Sequence, residues 1–163
     1  GASEIKWMAV DIKGNQSAVQ TKRVLVGASE ETGTVGGTVP ATLALTLGTP
    51  AMFPPFTPGV ARDYTATATA NVISTAASAA LSVADTGALA PGHLVNGSFS
   101  LPQAVQVRAG SAAFGAVSGA PLTVQTWANP VSNDQVSIAF QQAIGANDAL
   151  RTGAYSKLSL IHI

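Results

Sequence analysis

From Tyr64 to Ile73 the chain reads Tyr-Thr-Ala-Thr-Ala-Thr-Ala-Asn-Val-Ile, with small or apolar residues at Tyr64, Ala66, Ala68, Ala70 and Val72 and polar ones between them. A period of two is what a pleated strand with one buried and one wet face requires. A helix would scatter the threonines around its axis, and β-branched threonine favours the strand in any case. Arg62 to Ser74 is therefore predicted as one long strand.

The same signal recurs at short spacing. Glu4 to Asp11 alternates, Lys13-Gly14-Asn15 supplies turn chemistry, and Ala18 to Val26 resumes, which predicts a hairpin. Thr42 to Leu47 places Leu43, Leu45 and Leu47 on one face, and Ala79 to Ala84 turns Leu81 and Val83 inward. Leu94 to Phe99 carries Asn96-Gly97 between apolar runs, a strong hairpin signal. Further strands are predicted at Ala104 to Arg108, Leu122 to Trp127 and Gln135 to Ile144, with a last one starting near Tyr155. Phe53-Pro54-Pro55-Phe56-Thr57-Pro58-Gly59 is a rigid crossover, because its prolines exclude a central strand. No convincing helix is present. About eight strands separated by turn clusters predict an all-β, two-sheet antiparallel sandwich over residues 39–163. Gly27 to Thr38, with four glycines, two acids and no apolar period, reads as a linker between it and the hairpin of residues 1–26.

Composition narrows the chemistry. The chain has 163 residues, with thirty alanines, 10% charged and 6% aromatic positions, so its core is built from small and β-branched side chains. It has no cysteine, which excludes disulfides and thiolate metal sites. Eight basic residues balance eight acidic ones without a basic stripe, so the electrostatic basis of nucleic-acid binding is missing. No apolar run is long enough for a membrane-spanning helix. Nothing calls for a cofactor. Low charge with abundant Ala, Thr, Ser, Gly and Val leans towards a bacterial extracellular or cell-surface protein.

Candidate chemical groups are few. His93, beside the Asn96-Gly97 hairpin, reads as a surface residue at a strand start in preference to its alternative, a lone general base, so no catalytic residue is assigned. Asp63, Asp85, Asp134 and Asp148 fall at strand ends or turns, where a carboxylate bonds its own backbone, rather than as a facing pair. Asp11 with Asn15 offers oxygens without the spaced acidic series a calcium loop needs. Asp148 and Arg151 are candidates for a loop ion pair. Gly153 and Tyr155 have the layout of a tyrosine corner, whose hydroxyl bonds backbone upstream and fixes a sandwich crossover. Trp127 shares an alternating face with Thr123 and Gln125, on the polar side and just before Asn129-Pro130. Trp127, Gln125 and Asn129 are therefore the candidate sugar-stacking site. The reading preferred to it is an edge tryptophan covered by its loop.

Two stretches resemble known families. Trp7-Met8-Ala9-Val10-Asp11-Ile12-Lys13-Gly14-Asn15 and the strand after it resemble the closing hairpin of bacterial immunoglobulin-like repeats. Gly37 to Leu43, Phe56 to Ala66, Gly92 to Pro102 and Ile144 to Lys157 together resemble a C-terminal β-sandwich module of large secreted proteins from high-GC bacteria, which often follows such repeats or a hydrolase domain. The resemblance implies an immunoglobulin-like sandwich with an extra N-terminal hairpin and a non-catalytic accessory role, as spacer or terminal cap. Its implied partners are neighbouring domains of the same polypeptide, with cell-wall material or polysaccharide for an appended carbohydrate-binding module. After Lys157 the chain departs from the module. Leu158 to Ile163 replaces an alternating Thr/Leu/Phe strand, and Ser159 to Ile163 resembles translated sequencing-adapter read-through, so no weight rests on His162.

Overall fold

The computed structural model describes residues 2–25, 27, 32–157 and 160–163, and these form strands, bridges and turns with no helix. The expected ends at Val26 and Leu158 and part of the glycine-rich stretch lie outside the described residues. The chain divides into two units, residues 1–38 and 39–163.

In the first unit, β1 (Ala2–Trp7) and β2 (Gln20–Leu25) pair antiparallel from Ala2↔Leu25 to Trp7↔Gln20. They are shorter than the alternation suggests, and beyond them, among the described residues, Val10↔Gln16 alone bridges the ribbon. The turn is built by Asp11. Its carboxylate accepts the N–H groups of Lys13 and Asn15 at 2.8 and 2.9 Å and the Asn15 side-chain amide at 2.7 Å. The Asn15 amide, then the Asn15 and Lys13 N–H groups, hold this carboxyl below its ordinary pKa. Gly14 takes the left-handed conformation that the turn requires, at φ 81°. One face of the ribbon carries Ile5, Trp7 and Val24, all exposed. The other pairs Glu4 with Lys6 and Arg23.

The second unit is a β-sandwich. One sheet has the order β3-β4-β11-β8-β9: β3 (Leu43–Leu47), β4 (Arg62–Ser74), β11 (Val131–Ile144), β8 (Gln106–Ala109) and β9 (Gly115–Ala116). The facing sheet is narrower, with the order β10-β5-β12: β10 (Leu122–Trp127), β5 (Ala79–Ala84) and β12 (Leu160–His162). A small hairpin, β6 (Val95–Asn96) with β7 (Phe99–Ser100), turns at Gly97, whose φ is 63°. Tyr64, Ala70 and Val72 of β4, Leu81 and Val83 of β5, and Ile138 of β11 lie in one shared core. The threonines of β4 alternate outward as its pattern requires.

Three departures from the sequence pattern have local causes. β11 starts at Val131 rather than Gln135: its first residues read as a turn, but Asn133 at φ 54° absorbs an irregular step in the pairing with β4. The final strand starts at Leu160, while Ser156 beside Tyr155 makes only a single bridge to Val95. β9 has just two residues and no period to betray it.

Unequal sheet widths leave one side open. A Cβ on Gly115 of β9 would lie 2.7 Å from a Leu122 methyl of β10, so β10 sits over the β8–β9 side. The narrower sheet therefore ends before it covers β3. Leu43 and Leu47 share the inward face with Ser74 and Ala70, yet they stay 55% and 49% exposed.

Candidate functional site

Trp127 is not on the exposed face that strict alternation assigns it. The β10–β5 register runs Thr123↔Ser82 and then Gln125↔Leu81, so Val124 is an extra residue in β10. One inserted residue reverses the side-chain parity of everything after it. Gln125 and Trp127 consequently sit opposite Leu81 and Ala79, on the inward side. The indole is 9% exposed and belongs to the core, and its Nε1–H donates to the Asp134 carboxylate at 2.6 Å. Gln125 is half-buried, and its amide donates to the Thr126 carbonyl at 3.3 Å; Asn129 is exposed. The three residues do not form an exposed stacking platform.

The other candidates are tied to backbone. The Tyr155 hydroxyl accepts the Arg151 N–H at 2.8 Å, four residues upstream. Gly153, at φ 133°, lets the Asn96 amide approach to 2.7 Å from where a Cβ would stand, and that amide bonds the Thr152 carbonyl at 3.2 Å. His93 Nδ1 lies 2.8 Å from the Leu101 carbonyl, where only the Nδ1–H tautomer can bond. The ring thus clamps the base of the β6–β7 hairpin. Asp148 accepts the Gly145 N–H at 2.7 Å, and no ion pair joins it to Arg151 among the described residues. Asp63 is exposed near the foot of β4. Among the described residues no three His, Cys, Asp or Glu side chains gather as metal ligands.

Asp85 is the exception in its burial. Placed just after β5, it is fully buried and accepts the Gly87 N–H at 2.9 Å and the Gly92 N–H at 2.5 Å. Lys157 Nζ lies 3.1 Å away and also donates to the carbonyls of Leu89 and Ala90. Burial alone would push this carboxyl up; the Gly92 and Gly87 N–H groups and the Lys157 ammonium outweigh it and hold Asp85 below its ordinary pKa. Gly92 is irreplaceable in this knot, because a Cβ there would stand 2.0 Å from the Val117 carbonyl oxygen at φ 85°. The sequence marks Asp85 as a turn residue but not its partner, which arrives from a distant part of the chain.

On the uncovered side, against the inner face of the wider sheet, lies a cavity of about 910 Å³. Its walls are the proline-rich crossover and the segment 150–157, and its floor includes Ala68 of β4 and Phe140 of β11. The crossover is fixed by the Tyr64 hydroxyl, which accepts the Thr57 N–H at 2.8 Å, and by Phe56, which packs edge-on against Tyr64 with ring centres 5.0 Å apart. Of the residues lining the cavity, Arg151 and Lys157 are the charged ones, and both are cationic. Sequence reading missed this space, since it arises from strand order and not from any local pattern.

Comparison with protein-family models, with curated proteins and with solved structures finds no match. No helix of the described residues is long and apolar enough to cross a membrane.

Proposed function

We propose that this chain belongs to a non-catalytic structural or interaction module, a spacer or terminal cap of an extracellular multidomain bacterial protein. The observation that carries this reading is where the polar chemistry goes. His93, Asp85, Asp134, Asp148 and Tyr155 each direct hydrogen bonds into the protein's own backbone or core, fixing loops to sheets. The resemblance to a C-terminal module of secreted proteins points the same way. So does the β1–β2 ribbon, whose apolar and ion-paired faces suit the closing hairpin of an immunoglobulin-like repeat. On this reading the sandwich itself is immunoglobulin-like.

The carbohydrate-binding alternative loses support with Trp127 in the core, for sugar rings need an exposed aromatic face. Pull-down on insoluble chitin, cellulose, xylan and peptidoglycan tests both readings. The module reading expects no retention. Retention abolished by Trp127→Ala in a folded protein would restore the sugar site, and hydrolysis on a broad substrate panel that is lost in His93→Ala would replace both with an enzyme.

A further inference from the structure

We propose that this cavity is a binding site for a single-chain anionic amphiphile, with its hydrocarbon chain along the inner face of the wider sheet and its acidic head at Arg151. The volume of about 910 Å³ falls within the range of pockets that enclose a small organic ligand. The interior presents Phe53, Phe56, Leu94, Val105, Val117 and Phe140, which offer dispersion contacts and few hydrogen bonds. Water against these side chains lacks the two to four polar partners that hold an ordered molecule, so displacing it there with hydrocarbon is favourable.

The polar end is set by charge. Among the described residues no acidic side chain lines the cavity. Lys157 is already neutralised by Asp85, leaving Arg151, which is exposed and has no carboxylate within ion-pair distance among the described residues. A guanidinium suits a carboxylate or sulfate head by its paired N–H donors. The site needs no movement of the sheets: Ala68 lines it from an inward position of β4, so a larger side chain there would project into it.

The test is titration of the intact chain with decanoate below its micellar range, followed by calorimetry and by methyl NMR. Saturable one-to-one binding is expected, with shifts concentrated at Leu94, Val105 and Val117. Ala68→Leu should weaken it by at least about tenfold through steric exclusion. Arg151→Ala should weaken decanoate by roughly fivefold, the upper range for an exposed ion pair, and leave 1-decanol unchanged. Absence of saturable binding, or methyl shifts confined to other residues, would overturn the proposal. So would Ala68→Leu with native spectra and undiminished affinity; if that variant does not fold, the methyl map of the intact chain decides.

Discussion

At the scale of single residues, the Asp85–Lys157 pair concentrates the most electrostatic stability in the sandwich. Removing one member of a buried, hydrogen-bonded pair strands the other, at a cost of about 3–5 kcal/mol. Asp85→Asn and Lys157→Met should each lower stability by that order, and the double variant by clearly less than their sum, as denaturant melts in a double-mutant cycle would read. The pH dependence follows from the lowered carboxyl. The native state holds fewer protons than the unfolded chain between the folded pKa of Asp85 and its ordinary value. The contribution is therefore complete above that ordinary value and is lost as pH falls through the folded one. Wild-type stability should drop below about pH 4, and Asp85→Asn should flatten that drop. An acid limb unchanged in Asp85→Asn would show that other carboxyls set it.

At the scale of elements, β10 shows what parity does to a site. Its sequence, Leu-Thr-Val-Gln-Thr-Trp, alternates as far as Gln125, and its two ends are as legible from that pattern as those of β4 and β5. The side on which Trp127 falls is not legible, because the bulge at Val124 exists only in the pairing with β5. Tertiary pairing also hides Lys157 from Asp85 and the cavity from its walls, whereas the Asp11 turn and the Gly153–Tyr155 corner, made of neighbouring residues, stand out in the sequence. Burial of Trp127 has a direct optical consequence, since Trp7 is half-exposed on the ribbon. In Trp7→Phe the remaining indole should emit to the blue and resist acrylamide, while in Trp127→Phe the remaining one should be freely quenched. Trp127→Phe should also cost about 1–3 kcal/mol, from the lost bond to Asp134 and the space left in the core. Equal quenching in the two variants would return Trp127 to the surface.

At the scale of the whole molecule, the described residues of the hydrophobic cluster, from Leu45 to Ile163, all belong to the second unit. The first unit is a two-stranded ribbon whose described side chains are all exposed, and a ribbon of that size is marginal in water by itself. Stability therefore belongs to residues 39–163. A chain starting at Val39 should keep the far-UV β-sheet spectrum and melt cooperatively within a few degrees of the full chain. Residues 1–38 in isolation should show little ordered structure. Limited proteolysis should cut first between Gly27 and Thr38, where four glycines raise the entropic cost of ordering the chain, and leave a resistant fragment from about Val39 onward. First cleavage between Arg62 and Ala84, within β4 or β5, would mean that the narrow sheet opens more readily than the glycine-rich stretch, and the sandwich would not be the stable body of this protein.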